Sequence, residues 1–257
     1  MSIFIAVVSH GHSKLIQRLA CLSKLAQKYT VVVKINKNEQ GLVSYLKDNK
    51  ISYIDDLYGI GFGHNNNVVY KYCKKYLSMK DEDYFLVFNP DVISDDTAID
   101  NLIELMINDS VNLAGVNLFK DPYYSISDNS IRNFPSYSQF VRSFLGMVNT
   151  SIINKKLIKK PTKVDWAAGS FLAFKVSHYS RLKGFDEGYF MYCEDIDICY
   201  RSHLIGEQVV FYPKIKMQHL AEHQNRSIFS KHFYWHVSSV FRFLLTKHRL
   251  TCVKSSL

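Results

Sequence analysis

Residues 84–91 read YFLVFNPD, a continuous apolar segment that runs directly into a carboxylate. An apolar run of this kind predicts a strand buried on both faces, as in a parallel sheet. Pro90 ends the strand because it has no N–H to donate to a neighbouring strand. Ligands of open α/β sheets bind beyond the carboxyl ends of the strands, so Asp91 is a candidate to hold a divalent cation against phosphates. Capping the next helix is the alternative role, although better caps follow at residues 94–96.

Strands and helices alternate along the first half of the chain. Further strands are predicted at Ile3–Val8, Thr30–Ile35, Ile51–Ile54 and Asn112–Leu118. Helical spacing of apolar residues predicts helices at Ser13–Lys28, at Gln40–Lys47, from residue 67 to about Leu77, and at Asp96–Asn108. This alternation predicts an α/β fold whose Rossmann-like, mostly parallel sheet has helices on both faces.

The second half is less regular. Residues 120–162 read as loops with one helix near Tyr137–Val148, and a strand or strand pair follows at Val164–Val176. A helix is predicted at Glu194–Ile205, a last strand at Gln208–Tyr212, and a final helix at Ile228–Leu245. In that final helix one apolar face is predicted from Phe229, Phe233, Val237, Val240, Phe241, Leu244 and Leu245. With its basic and aromatic flanks, this helix either binds a membrane surface or packs on the domain.

The charge of the chain is one-sided. The 257 residues carry a formal net charge of +9, with 15 basic and 15 acidic residues in 1–150 and 17 and 8 in 151–257. A positive charge concentrated in one half of the chain indicates an anionic partner, such as lipid head groups, nucleic acid or a phosphorylated substrate, or simply a solvated basic surface. The five cysteines match no disulfide or zinc pattern, and neither a signal peptide nor a membrane-spanning run is recognisable. We therefore expect a cytoplasmic protein that is soluble or lies on a membrane.

Two further stretches carry candidate chemistry. Residues 59–67 read GIGFGHNNN and open a helix, which is typical either of backbone amides that bind an anion or of turn chemistry. Residues 184–197 read GFDEGYFMYCEDID and place three acids among aromatic side chains. Acids at a helix start suit the helix dipole, but an apolar pocket would also raise the pKa of one carboxyl and make it a general base. His219 and His223 follow the last strand and would serve a metal only beside Asp91.

The order of these stretches resembles the inverting glycosyltransferases of family 2, which have the GT-A fold. Within that family the similarity is greatest to bacterial rhamnosyltransferases of O-antigen and cell-wall polysaccharide assembly. The matching stretches are VVSH, IN at the end of strand two, GFGHNNN, LVFNPDV, VDWAAGSFLAFK, GFDEGYFMYCEDIDICYR and the histidine after the last strand. The resemblance implies a metal-dependent, inverting transfer of L-rhamnose from dTDP-β-L-rhamnose to a saccharide linked to undecaprenyl diphosphate.

The resemblance also implies roles for individual residues. Asp91 and His219 would bind Mg²⁺ or Mn²⁺, and Asp195, with Glu194 beside it, would be the catalytic base. The nucleotide sugar would be bound by Ser9, His10, Asn36, Gly63, Asn66, Asn67, Asn89, Asp91, Trp166 and Gly169. The family usually has an aspartate that reads the pyrimidine base where this chain has Ile35, so a UDP-hexose donor is an alternative.

The resemblance further implies a domain organisation and a location. Residues 1–225 would form the GT-A domain, with 1–118 as nucleotide-binding half and 119–225 as acceptor and catalytic half. Residues 226–257 would form a basic amphipathic helix and tail that holds the enzyme on the inner face of the plasma membrane. A nucleic-acid-binding module is the remaining alternative. We expect no nucleic acid partner, because the basic residues form no known motif and the acids near residue 195 would repel phosphates.

Overall fold

The computed structural model describes residues 1–135, 151–221 and 231–257. The strands are β1 (Ile3–Ser9), β2 (Thr30–Ile35), β3 (Ser52–Ile54), β4 (Tyr84–Phe88), β5 (Val92–Ile93), β6 (Leu113–Phe119), β7 (Ile131–Arg132), β8 (Thr162–Val164), β9 (Trp166–Ala167), β10 (Phe171–Lys175) and β11 (Val209–His219). The helices are α1 (Ser13–Leu19), α2 (Cys21–Leu25), α3 (Leu42–Asp48), α4 (Phe62–Tyr76), α5 (Asp96–Asn108), α6 (Val176–Arg181), α7 (Glu194–Leu204) and α8 (Lys231–Lys247).

One large mixed sheet organises these elements. Its strand order within the described residues is β3-β2-β1-β4-β10-β6-β11-β5, with β8 paired to β11. Strands β3, β2, β1 and β4 are parallel, and β6 is parallel to β11. Strand β10 runs antiparallel between β4 and β6. The carboxyl ends of β4, β6 and β11 and the amino end of β10 therefore meet at one edge of the sheet.

Helices cover both faces of this sheet, which confirms the predicted α/β class. In β4, Phe85 and Val87 pack into one hydrophobic core, while Leu86 and Phe88 pack into the other. Helix α4 belongs to the first core and helix α5 to the second. Each of these buried β4 side chains contributes about 1.5–3 kcal/mol of stability, which is why the apolar run specifies a central strand.

Three predicted elements have clearly different bounds in the structure. The helix expected from residue 67 begins earlier, at Phe62, so that residues 62–67 belong to α4. The single helix expected at Ser13–Lys28 is wrong, because Ala20 adopts a left-handed φ of 50° and separates α1 from α2. The last strand does not end at Tyr212. It passes a register shift around Pro213, where a proline is tolerated, and continues to His219. This longer strand carries His219 to the edge of the sheet where β4 ends.

Other predictions are refined. The segment Val164–Val176 divides into β8, β9 and β10 before α6 begins. The helix expected near Tyr137–Val148 and His223 lie outside the described residues. The apolar face predicted for the final helix is split, since Val240 is buried while Phe233, Phe241 and Leu245 are exposed. Its predicted member Phe229 lies outside the described residues, and the buried Phe243 was not predicted to belong to it. In the described part of the chain, no helix has the length and apolar character needed to cross a membrane.

Candidate active site

Three ionisable side chains meet at the carboxyl edge of the sheet. Asp91 follows β4, Asp128 lies in the connection after β6, and His219 ends β11. His219 Nδ1 lies 2.6 Å from Asp128 Oδ2, and His219 Nε2 lies 3.4 Å from Asp91 Oδ2. Pairing of β11 with β5 sets His219 opposite Val92, so the backbone itself holds the histidine next to Asp91. The structure thus brings together the two side chains that the sequence proposed as metal ligands.

The charges of this cluster reinforce one another. Burial alone would lower the pKa of His219, but the hydrogen bonds and charges of the two carboxylates outweigh it and raise that pKa to about 9. Burial would conversely raise the pKa values of Asp91 and Asp128, yet His219 holds both below their usual range. The charges of His219, Asp91 and Asp128 therefore stabilise one another.

The donor set fits a divalent cation. Two atoms 3.4 Å apart, such as Asp91 Oδ2 and His219 Nε2, can both bind one cation at about 2.0–2.2 Å each. Asp128 on Nδ1 would fix the ring and leave Nε2 for the metal, as carboxylates commonly do for metal-binding histidines. Among the described residues, no three His, Cys, Asp or Glu side chains form a full metal site. Cations of phosphate-transfer enzymes take most of their other ligands from water and substrate phosphates.

The carboxylate of Asp195 is anchored at the start of α7. Gly169 N donates to its Oδ2 at 3.0 Å, and Ile196 N donates to its Oδ1 at 2.9 Å. Burial raises the pKa of Asp195, while these two amides and the nearby charge of Arg132 favour the ionised form. Each carboxylate oxygen has a second lone pair, so an anchored Asp195 can still accept a proton.

Glu194 is placed differently, although it adjoins Asp195 in sequence. Its side chain is buried, and its Oε2 has no hydrogen-bond partner within the described residues. Burial, together with the charge of Asp195, raises the pKa of Glu194 to about 8. The two neighbouring carboxyls therefore oppose each other's ionisation, and only Asp195 has backbone amides that favour its charged form.

Asp91 and Asp195 lie at the same edge of the sheet. Asn89 N, two residues before Asp91, donates to Ser170 O at 2.9 Å, while the adjoining Gly169 N binds Asp195. The antiparallel pairing of β4 with β10 produces this contact. The Oγ of Ser170 is buried and has no hydrogen-bond partner among the described residues. A candidate cation site and a candidate base are thus connected through two consecutive residues.

The glycines of the 59–67 segment, which is helical from Phe62 onward, serve close packing. A Cβ on Gly61 would lie 2.6 Å from Phe190 O, and one on Gly63 would lie 2.7 Å from Phe185 Cβ. Phe62 N also donates to Phe190 O at 3.0 Å. The amino end of α4 is therefore fitted against residues 184–190, which lead to Asp195.

The asparagines of this segment, residues 65–67, lie near the start of α4 and are buried. Asn66 and Asn67 are fully buried. Asn67 donates to Phe185 O at 2.8 Å and to Glu187 Oε1 at 2.9 Å, and it accepts the hydroxyl of Tyr179 at 2.7 Å. The structure thus shows a packing role for Gly63 and Asn67, and nucleotide contact by these residues stays a prediction.

The loop after β2 contains a residue that the sequence analysis missed, and this residue binds the end of β1 and the loop that follows it. Glu39 accepts hydrogen bonds from Ser9 Oγ at 2.7 Å, from Gly11 N at 2.8 Å and from Ser13 N at 2.7 Å. Ser9 is fully buried in this arrangement, whereas His10 is exposed beside it. No local pattern identifies Glu39, because its partners lie 26 to 30 residues away.

Asn36 joins the ends of β1 and β2 to the 59–67 segment. Its side chain donates to Ile60 O at 2.9 Å and accepts from Ile60 N at 3.1 Å, as a backbone strand would. Its Nδ2 also lies 3.4 Å from Nδ1 of His10. His10 is the exposed member of this group and the one open to a ligand.

Trp166 lies in β9, three residues before Gly169, whose amide binds Asp195. Its indole donates to Asn133 O at 3.0 Å, and the guanidinium of Arg132 lies 5.3 Å from the ring centroid. Trp166 is buried, so it supports Arg132 from beneath. Arg132 and Asp128 were not predicted, because both lie in the irregular segment whose position only the tertiary structure determines.

Comparison with known proteins shows a family. The chain is 39% identical over 252 residues to "Rhamnosyltransferase WbbL" of Escherichia coli (strain K12), covering 97% of this chain and 95% of that protein. It is 29% identical over 174 residues to an "N-acetylglucosaminyl-diphospho-decaprenol L-rhamnosyltransferase" of Mycobacterium tuberculosis, covering 65% of this chain and 56% of the relative. No family model matches the sequence.

Solved structures show the same fold at low identity. A mannosyltransferase of Pyrobaculum calidifontis in complex with GDP-Man and Mn²⁺ superposes with a TM-score of 0.60 at 13% identity, over 98% of this chain and 65% of that one. Staphylococcus aureus TarS 1-349 with UDP-GlcNAc superposes with a TM-score of 0.57 at 12% identity, over 88% of this chain and 62% of that one. Both of these structures are complexes with a nucleotide sugar.

Proposed function

Because the chain belongs to the rhamnosyltransferases and has a GT-A-like fold, we propose that it transfers L-rhamnose from dTDP-β-L-rhamnose with inversion. The single observation that carries the mechanism is the shared edge of the sheet. At this edge Asp91 lies beside His219, and the Asp195 carboxylate accepts a hydrogen bond from Gly169 N. The next residue, Ser170, accepts a hydrogen bond from Asn89 N, two residues before Asp91. A base and a leaving-group site must lie on opposite sides of one sugar for direct displacement.

Asp195 acts as the base in this proposal. The acceptor hydroxyl oxygen attacks the anomeric carbon of rhamnose, the bond from that carbon to the diphosphate oxygen breaks, and dTDP leaves. The hydroxyl proton passes to a carboxylate oxygen of Asp195 during the attack. The amides of Gly169 and Ile196 hold the carboxylate in place before and after it takes the proton. Attack opposite the leaving group converts the β-linked donor into an α-L-rhamnoside.

Asp91 and His219 hold the leaving-group end. Mg²⁺ or Mn²⁺ bound there would neutralise charge that develops on the departing diphosphate. Asp91 would supply an oxygen ligand and His219 its Nε2, while Asp128 would orient the ring through Nδ1. The description of the mannosyltransferase complex with Mn²⁺ supports a metal in this fold.

In this proposal the nucleotide of the donor binds where the parallel strands β1 and β2 end. We place the base and ribose near His10, Asn36 and the loop held by Glu39, with Asn89 nearer the diphosphate. Ile35 is fully buried and offers no carboxylate to a pyrimidine, so the donor base must be read by other groups.

A nucleotide-binding experiment tests the donor. Thermal unfolding of the purified protein is measured with dTDP, UDP or GDP, each with Mn²⁺. A ligand at 100 times its dissociation constant stabilises the fold by about 2.7 kcal/mol, and we expect this for dTDP. Stabilisation by UDP alone would favour a UDP-hexose donor. Rhamnosyl transfer from dTDP-rhamnose, followed by mass spectrometry of the product, then tests the reaction itself.

We further propose a lipid-linked acceptor and a position on the inner face of the plasma membrane. The description of the Mycobacterium relative names a saccharide on a lipid diphosphate as its substrate, which supports such an acceptor here. On α8, Tyr234, Phe241 and Leu245 are 70%, 63% and 44% exposed. Their spacing of seven and four residues puts them on one side of the helix, opposite the buried Phe243. An apolar face on a helix in the basic half of the chain suits an anionic lipid surface.

We predict that charges on this face abolish membrane binding. The double variant Phe241→Glu/Leu245→Glu should no longer sediment with vesicles that contain anionic lipid. Each glutamate opposes the insertion of the apolar face and is repelled by the negative lipid charge. Ile107→Glu is the matched control, since Ile107 is a 47% exposed apolar residue on another helix, α5. Equal sedimentation of the double variant and the wild type would refute the membrane role of α8.

A further inference from the structure

The turn that precedes Asp195 has an unfavourable backbone. Tyr192 and Cys193 are consecutive non-glycine residues with φ values of 72° and 65°. Left-handed conformations cost such residues free energy and persist only when neighbouring structure holds them. This turn sets the direction in which α7 begins, and hence the position of the Asp195 carboxylate beside Gly169.

Helix α8 supplies contacts that hold this turn. Ser239 Oγ donates to Met191 O at 2.8 Å, and Tyr192 OH lies 3.2 Å from His232 Nδ1. One residue earlier, the rings of Phe190 and Trp235 lie 4.5 Å apart. Three consecutive residues before Cys193 are thus in contact with one face of α8.

Asp186 attaches α8 to the same loop. Its Oδ2 accepts two hydrogen bonds from Arg242, from Nε at 3.0 Å and from Nη2 at 2.6 Å. Its Oδ1 accepts Gly188 N at 2.8 Å and Lys254 N at 3.1 Å. Asp186 is 1% exposed, so this ion pair is shielded from water and from salt. The neighbouring Glu187 accepts Ser256 Oγ at 2.6 Å, which ties residues 252–257 to the loop as well.

The Asp186–Arg242 pair is also connected to α7, through Tyr189. The Arg242 guanidinium lies 5.3 Å from the ring centroid of Tyr189, and Tyr189 OH donates to Asp197 Oδ1 at 3.3 Å. Asp197 is in the first turn of α7, two residues after Asp195. A chain of contacts therefore runs from Arg242 through Tyr189 to the helix that begins with the base.

We propose that Asp186 and Arg242 are positioning residues for the reaction: their buried ion pair holds α8 against the 184–193 loop and so sets the place of the Asp195 carboxylate. This rests on the proposed function, in which Asp195 is the base. Displacement of a catalytic group by about 1 Å can reduce a rate by about 100-fold, so loss of the pair acts on kcat. Donor binding depends on Asp91, His219 and the β1 and β2 ends, and is left intact.

The experiment compares Arg242→Gln, Arg242→Lys and Asp186→Asn with wild type in the full chain. Transfer is measured from dTDP-rhamnose to N-acetylglucosaminyl diphosphate carrying a short alkyl chain, so that membrane binding does not enter. We expect kcat to fall by more than about tenfold for Arg242→Gln and Asp186→Asn while donor KM changes by less than about twofold. Arg242→Lys keeps the charge but loses the two-point hydrogen bond to Asp186, so its kcat should lie between those of Arg242→Gln and wild type. Arg181→Gln, an exposed arginine on α6, is the matched control and should behave as wild type.

The double variant Asp186→Asn/Arg242→Gln covers the case in which a single variant does not fold. It leaves no unpaired buried charge, and its kcat should be as low as that of the single variants. Folded variants with wild-type kcat, or a double variant that does not fold, would overturn the positioning role. Failure of the proposed function is distinguishable, because it would appear as full turnover by Asp195→Asn or as no transfer by the wild type.

Discussion

Asp195→Asn should reduce rhamnosyl transfer by about 10²–10⁴-fold, the usual contribution of a general base. The amide has nearly the same shape as the carboxylate, and its oxygen can still accept the hydrogen bond from Gly169 N. It cannot take the proton of the acceptor hydroxyl. Initial rates at saturating donor measure the loss, and calorimetric titration with dTDP and Mn²⁺ should show unchanged binding.

Two other variants make this result specific. Glu194→Gln should keep its rate within about threefold of wild type, because burial raises the pKa of Glu194 and disfavours its charged form, so that the neutral amide changes little. Asp48→Asn, an exposed aspartate at the end of α3, controls for loss of one negative charge. Undiminished turnover by Asp195→Asn, or an equal loss in Glu194→Gln, would remove Asp195 from the role of base.

Loss of the metal should have the second largest effect. Asp91→Asn and His219→Gln each remove one proposed ligand, and we expect transfer to fall by about 100-fold, equivalent to about 3 kcal/mol of transition-state stabilisation. EDTA should likewise stop the wild type, and added Mn²⁺ should restore it. Electron paramagnetic resonance of Mn²⁺ with dTDP measures metal binding apart from activity, and both variants should bind Mn²⁺ more weakly.

The same Asp48→Asn variant is the control for these measurements. Transfer that persists in EDTA, together with wild-type Mn²⁺ binding by Asp91→Asn, would contradict the metal role of this cluster. Asp128→Asn should have an effect intermediate between those of the control and of the ligand variants. It removes the carboxylate on His219 Nδ1 but neither proposed ligand, so Mn²⁺ binding should weaken by less than in Asp91→Asn.

Parts of the candidate site could be predicted because their signals are local. The run ending at Asp91 and the acids around Asp195 each sit where a predicted strand or helix meets a loop. Asp128, Glu39 and Arg132 have no such signal. Each acts through partners that are distant in sequence, such as the 91 residues that separate Asp128 from His219. The sequence of residues 59–67 is compatible with anion binding and with turn chemistry, since glycine permits both. Only the tertiary structure shows that its glycines pack against residues 184–190.

The amino-acid sequence by itself determined the α/β class, the central strands and the membership of the rhamnosyltransferases, because apolar periodicity and ordered motifs are properties of the chain alone. Only the tertiary structure decided that β10 runs antiparallel beside β4 and that β11 extends past Pro213 to His219. Strand pairing depends on hydrogen bonds between segments far apart in sequence, which no local pattern records. Those two pairings bring Gly169 beside Asn89 and His219 beside Asp91, and so assemble the candidate active site.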